Sequence, residues 1–291
     1  MVAAVRTSIV LACAFLPGLS RAGAEEVPAT GDAPPRVWRA CATLDREVLR
    51  EVSGIVESRQ YPGVFWAHAD SGNDPKIVAF DTAGKILAEV AIAKAPNTDW
   101  EDIAADDQGN LYIGDIGNNK AMFPTRYIYR IVEPDPRNPP DHPVPVARRW
   151  RFKYPDDRRF NGEGLFWHDG SLYVCARGGS VSIYRLEGDR ERDMVLRPLK
   201  ARVLAGTTGA DVSADGSRLV LCNPVSACVY TLTGGEELVE AEGRRAVSFP
   251  SGGCIEGVCF SGTDVVLIGE HGALYRITEQ DFTNQVRFVR P

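Results

Sequence analysis

Beyond its first two dozen residues, the 291-residue chain holds no apolar run near the ~18 residues that a membrane helix needs. It also lacks the common catalytic signatures. There is no G-x-S-x-G elbow, no H-E-x-x-H, no P-loop and no G-x-G-x-x-G. No C-x-x-C occurs, so a structural zinc site or a thioredoxin-type redox pair is not expected. Histidine is scarce, with only His68, His142, His168 and His271. His142 falls in a Pro-rich loop and His168 in a turn, which leaves a serine triad unsupported. Any chemistry must then come from carboxylates, His68 or His271, with or without a metal-activated water. No helix-period segment of any length is evident.

The N-terminus has the pattern of an export signal. Arg6 is followed by an uncharged apolar run from Thr7 to Leu19 and a small-residue cleavage site at Ala22-Gly23-Ala24. This predicts a signal peptide over 1–24 and a secreted or periplasmic protein. The alternative is a lipoprotein anchored through Cys13, although only six residues separate Cys13 from Arg6. Residues 25–36 are Pro, Gly, Ala and acid, and read as a disordered leader before a domain over 37–291. The cleaved chain carries 31 Lys and Arg against 39 Asp and Glu. An acidic chain without a basic cluster makes a poor nucleic-acid partner and favours cations or cationic ligands. The expected partner is a small-molecule, glycan or protein ligand, met by a monomer. Six cysteines remain after cleavage, and Cys222 and Cys228 flank a predicted hairpin turn where a local disulfide is plausible.

The strongest positive signal is a repeat. Five segments share one order: a short apolar run led by a polar residue, a turn, a second strand ending in a polar cluster, and a third strand rich in Ile, Val and Tyr. They begin at Ser53, Glu101, Glu163, Ala210 and Glu256, with spacings of 48, 62, 47 and 46. A period of ~40–50 residues built of short strands reads as propeller blades. The turns Asp107-Gln108-Gly109-Asn110 and Ala214-Asp215-Gly216 have hairpin chemistry. The nearly continuous apolar runs suit sheets covered on both faces. The expectation is an all-β chain forming a single β-propeller of four-stranded blades. The count is five, with six as the alternative if the termini build one more. Outer strands are expected at 86–92, 146–153, 201–204, 245–249 and 286–289. The leftover run 37–44 is expected to pair with the last blade and close the ring.

In a blade the first strand lies beside the axis and the second returns antiparallel. The start of one and the end of the other therefore share a face. This places Glu101, Asp102, Glu163, Asp211 and Glu256 on one rim, joined by His68, Asp70, Asp115, Arg177, Glu270 and His271. Each alone reads more readily as a solvated or turn-capping charge; the set points to a shared binding face. Carboxylates around a narrow channel repel, and a cation, an arginine or proton uptake must offset that. All-oxygen ligands favour Ca²⁺, with Asp70, Asp115, Glu101, Glu163, Glu256 and Glu270 as the candidate donors. Asp70-Ser71-Gly72-Asn73-Asp74 and Asp115-Ile116-Gly117-Asn118-Asn119 strengthen this, although Asx turns would give the same pattern. Trp66, Trp100 and Trp167 stand beside these clusters, either stacking on a ligand or packing between blades.

The runs Asp99-Trp100-Glu101-Asp102-Ile103-Ala104 and Gly114-Asp115-Ile116-Gly117-Asn118-Asn119 are distinctive, as is Ser53-Gly54-Ile55 with His68-Ala69-Asp70-Ser71-Gly72. With Thr208 to Gly216, they resemble a group of bacterial exported, lipoprotein-like β-propeller proteins. The resemblance spans about 53–278. It implies a propeller and export, and no particular reaction. More distantly the pattern resembles the esterase-like phytase and gluconolactonase-type propellers, which implies carboxylates and a divalent metal at the axial mouth. The chain departs from the nearer group at Asn223-Pro224-Val225 and at Arg177. Two readings follow: a ligand- or partner-binding module at an acidic axial face, or a metal-dependent hydrolase of a phosphoester, ester or lactone using the same face.

Overall fold

The computed structural model describes residues 40–285, apart from 178–182, 189–193, 200, 202, 234–237, 240–244, 249–253 and 283. The expected signal segment, the leader and Cys13 lie outside the described residues.

Five antiparallel sheets follow one another along the chain. Their innermost strands are Val52–Glu57, Trp100–Ala105, Asn161–His168, Gly209–Val212 and Ile255–Ser261. Each of these contacts the next, and the fifth contacts the first, so the sheets are blades 1 to 5 of a closed propeller. Blade 5 holds three strands from the end of the repeat and one from the N-terminus. Ala42–Thr43 pairs antiparallel with Ala273–Ile277, Ala42 opposite Leu274. The ring thus closes as the leftover run suggested. The run 286–289, expected as that outer strand, lies outside the described residues.

The blades hold four or five strands. Connections account for the extras. Val144–Pro145, from the Pro-rich loop of blade 2, lies parallel against the outer strand of blade 1. Met194–Val195 does the same on blade 2, and Asn284–Gln285 pairs with the outer strand of blade 4. Short hooks of this kind cover edges that would otherwise offer free backbone groups. Two expectations need correction. The outer strand of blade 3 is Arg197–Pro198, not 201–204. Ala201 and Leu204 are instead buried between blades 3 and 4, where their apolar side chains are drawn. And the outer strand of blade 2 does carry a basic run, Arg148, Arg149, Arg151 and Lys153.

The core is five apolar clusters, one in each gap between neighbouring blades. The second strand of blade 1 shows why its sequence does not alternate. Val64 and Trp66 face blade 2, while Phe65, Ala67 and Ala69 face blade 5. Both faces are covered, so all six residues of Val64–Ala69 are buried. Burying one such large side chain stabilises the fold by about 1.5–3 kcal/mol. Trp66 packs rather than stacking on a ligand, and its Nε1 donates to Glu133 Oε1 at 2.8 Å.

The six cysteines of the described residues form no disulfide. In the hairpin Cys222 opposes Ala227, and Cys228 opposes Leu221. That register turns their side chains to opposite faces of blade 4: Cys228 packs toward blade 3 and Cys222 toward blade 5. The expected local disulfide is therefore absent. Among the described residues no helix is long and apolar enough to cross a membrane.

Candidate functional site: an acidic cup on the propeller axis

Three glutamates reach the axial mouth through one backbone device. The pairing of the first two strands skips a residue at Glu101 in blade 2, at Glu163 in blade 3 and at Glu256 in blade 5. Each is the extra residue of a β-bulge, which re-aims a side chain out of the regular alternation. Blade 1 has the same irregularity at Ser53-Gly54. In blade 4 the corresponding residue is Thr208, which precedes Gly209 as Ser53 precedes Gly54, Glu163 Gly164 and Glu256 Gly257. The hydroxyls tie blades together: Ser53 Oγ donates to Glu101 O at 2.7 Å, and Thr208 Oγ1 to Ile255 O at 3.0 Å.

The residue after this position is glycine in four blades, because the inner strands meet there. A Cβ on Gly54 would lie 2.7 Å from Asp102 Cα, and one on Gly257 2.7 Å from Ser53 O. In blade 2 this position is Asp102. Its Oδ2 accepts the N–H of Leu165 at 2.8 Å and of Ala210 at 3.1 Å, and Oδ1 accepts its own neighbour Ile103 at 2.9 Å. Asp102 therefore joins the inner strands of blades 2, 3 and 4 and floors the cup. Burial pushes its pKa well up, and the three N–H groups oppose that. It is a structural plug, not a rim ligand.

Above the plug the carboxylates crowd. One oxygen from each of Asp70, Asp99 and Glu101 lies within 4.8 Å of the others. Glu101 is buried, and none of the described residues donates a hydrogen bond to its carboxylate. Burial and four acids, Glu163, Asp70, Asp99 and Glu256, all push its pKa well up. Glu163 is raised by burial and by Glu256, opposed by Arg177, whose Nη1 lies 3.2 Å from Glu163 Oε1. Glu256 rises to about 7 through burial and the neighbouring charge of Glu270. Asp70 rises to about 6, chiefly by burial. The two carboxylates close in over Gly117: a Cβ there would lie 2.1 Å from Glu101 Oε1 and 2.5 Å from Asp99 Oδ2.

Flanking groups hold this arrangement. Asn97 Oδ1 caps the N–H of Trp100 at 3.0 Å, and its Nδ2 binds the carbonyls of Ala69 and Asp70 at 3.1 and 2.9 Å. Asn161 donates to Glu163 and to Asn119 and accepts from the N–H of Asn118.

Several expected members stand elsewhere. Asp115 is no free donor: it pairs with buried Arg126 at 2.8 Å and accepts the N–H of Asp99 at 2.8 Å, so it sets the trio's backbone instead. Asn118 and Asn119 likewise serve the loop. Asp211 lies past the plug, where its Oδ2 accepts the N–H of Phe260 at 2.8 Å; the rim position of blade 4 is Thr208, two residues before the expected start of that repeat at Ala210. His68 is fully buried behind the rim, edge-on to Trp100 at 5.5 Å, and burial lowers its pKa to about 4. His271 is exposed in the turn after Glu270. Trp100 is buried, with Nε1 on Pro96 O at 3.2 Å, and Trp167 belongs to the far face. Asn223 is spent in its own turn, accepting from Val225 and Ser226. The residue the sequence reading missed is Asp99. Its signal was present: it sits two before Glu101, across a tryptophan that must point inward.

No family model and no curated protein matches the chain. Solved structures do. The chain is similar to the glutaminyl cyclase of Myxococcus xanthus at 13% identity and TM-score 0.52, over 83% of this chain and 94% of that one. It is also similar to a gluconolactonase of Xanthomonas campestris at 15% identity and TM-score 0.47, over 87% and 96%. The major allergen of Malassezia sympodialis gives 13% identity and TM-score 0.49, over 82% and 81%. At 13% identity the likeness to the cyclase shows a shared fold and nothing about activity.

Proposed function

We propose that this protein is a ligand-binding β-propeller that uses a divalent cation, calcium by its donor chemistry, in the acidic cup. The observation that carries this is the trio Asp70, Asp99 and Glu101, with oxygens mutually within 4.8 Å. Oxygens sharing one Ca²⁺ at about 2.3–2.6 Å can be no more than about 5 Å apart. The trio's charge is not balanced from within. Arg126 is engaged by Asp115, and Arg177 by Glu163. Glu163 and Glu256 stand around the trio, placed to meet polar groups of a ligand that completes the ion's shell. The export pattern of residues 1–24 supports action outside the cytoplasm. Binding suffices to account for the cup, and the hydrolase reading of the same carboxylates gains nothing from likenesses of fold alone.

The test is a thermal melt of residues 25–291 in EDTA and then with Ca²⁺, Mg²⁺, Mn²⁺ or Zn²⁺. An ion bound only by the native state stabilises it by about 2.7 kcal/mol at 100 times its Kd. The expected outcome is a rise strongest for Ca²⁺ and abolished by Glu101→Gln. A melt indifferent to every ion would sink the proposal.

A further inference from the structure

The propeller has a second polar cavity, at the opposite end of the axis, that the acidic cup does not use. The inner strands run away from the cup and end at Glu57, Val212, Ser261 and, in blade 3, at Trp167 and His168. Two adjoining lobes of about 450 and 270 Å³ open there, and both are lined by Arg59 and Ala214. Each is of the order of a small-ligand site. Arg59 reaches from blade 1 to blade 4, where Nη2 donates to Val212 O at 2.5 Å. It thereby stands between the two lobes beside half-buried Glu57 and buried Asp211.

We propose that the larger lobe is a carbohydrate site, with Trp167 as its platform and Arg59, His168 and Asp107 as its polar contacts. Four observations carry this. Trp167 is partly buried, packed on one side against the core between blades 2 and 3, and it lines the lobe. An indole beside polar groups suits a ligand with one apolar and several hydroxyl faces. The charges are of both signs, Arg59 against Asp107, Asp169 and Asp215, and the excess of acids disfavours an anion. Arg59 supplies donors, and the exposed carboxylate of Asp107 supplies acceptors. His168 is half-buried, and desolvation lowers its pKa, so at neutral pH its ring offers one donor and one acceptor. Asp215, also at this lobe, is excluded from the contact set because Ser213 and Ser217 already occupy its carboxylate. A neutral polyol meets this set without burying an unpaired charge.

The site is independent of the acidic cup, and the experiment separates them. The protein is titrated with glucose, N-acetylglucosamine, cellobiose and N,N′-diacetylchitobiose, each to about 50 mM, a limit that detects even weak binding. The readouts are tryptophan fluorescence and saturation-transfer NMR. At least one sugar is expected to bind saturably. Trp167→Ala should weaken it by about tenfold or more, Trp167→Phe by less, and Asp107→Asn by a few-fold. Asp107 is exposed, so its variant keeps the test alive if Trp167→Ala does not fold. Glu101→Gln and EDTA should leave the affinity unchanged. Failure of all four sugars to bind would overturn the assignment. So would binding that Trp167→Ala and Asp107→Asn leave intact. Binding lost with Glu101→Gln would move the sugar to the cup and overturn it equally.

Discussion

Glu101 and Asp102 are adjacent, both acidic and both buried, yet the fold treats them in opposite ways. Asp102 points along the inward register of its strand and receives three backbone N–H groups from three blades. Glu101 is the extra residue of a bulge and is turned into a cup where Glu163, Asp70, Asp99 and Glu256 all oppose its charge. The first carboxylate is solvated by the protein. The second is left for something the protein does not supply. A buried charge with hydrogen-bond partners serves the fold, and a buried charge without them is a candidate for a ligand.

Removing the two should therefore give opposite signs. Asp102→Ala leaves three buried N–H groups without acceptors, each costing about 1–3 kcal/mol, with partial relaxation. We expect a loss of about 3–5 kcal/mol, read as a lower urea midpoint at unchanged m-value. Asp102→Asn keeps one acceptor oxygen and should lose less. Glu101→Gln should instead raise the stability of the ion-free protein at pH 8, since it removes a carboxyl whose ionisation burial and the neighbouring acids oppose. A loss in both variants would show that the two carboxylates are not distinguished as argued.

The same contrast fixes the pH dependence. Glu101, Glu163, Glu256 and Asp70 all have pKa values raised in the folded state, to about 7 for Glu256 and about 6 for Asp70. The native state then holds protons that the unfolded state has lost, and stability falls as pH rises. Stability is fully present below the ordinary carboxylate range. It declines from about pH 4.5 and levels off once the highest of these groups has ionised. Ion-free melts from pH 5 to 8 should show a falling midpoint. Calcium should reverse the trend, its stabilisation growing with pH as the ion replaces protons. A flat ion-free profile would break the claim that the cup is unbalanced.

Gly117→Ala tests geometry apart from charge. The added methyl meets only the mobile ends of Glu101 and Asp99, so the fold should lose no more than about 1 kcal/mol. The trio, however, must spread, and the calcium-induced rise in melting temperature should fall by more than half. If the calcium response is untouched, the trio is not the ion's site.

What the sequence made legible follows from what repeats. The period, the hairpin turns and the double-sided apolar strands expose the propeller and its ring closure, because all five blades answer to the same packing. The axial glutamates are legible for the same reason, since three blades put them at one position. The rest depends on single residues that break the repeat. Asp102 replaces glycine, Asp115 turns to Arg126, and blade 4 has no bulge, so its true rim residue Thr208 is masked by the more eye-catching Asp211. The paired cysteines fail at the level of register, since neighbouring rungs on a strand face opposite ways and spacing alone does not give the rung.

The smallest effect is expected at Arg177, the basic residue that faces the cup. Its side chain is 44% exposed and its pairing with Glu163 is 3.2 Å long. An exposed partner of this kind contributes about 0–1 kcal/mol at most. Arg177→Gln should therefore barely move the melting temperature. It should nonetheless act on titration, because Arg177 opposes the rise of both Glu163 and Glu256. Without it both carboxyls hold their protons to higher pH, and the stability decline extends further into the alkaline side. Calcium, relieved of a competing cation, should bind more tightly at pH 8, a change readable by calorimetry. Weaker calcium binding in Arg177→Gln would mean that the arginine orients Glu163 for the ion rather than competing with it, and the cup would then be a mixed cation and arginine cluster instead of an acidic one.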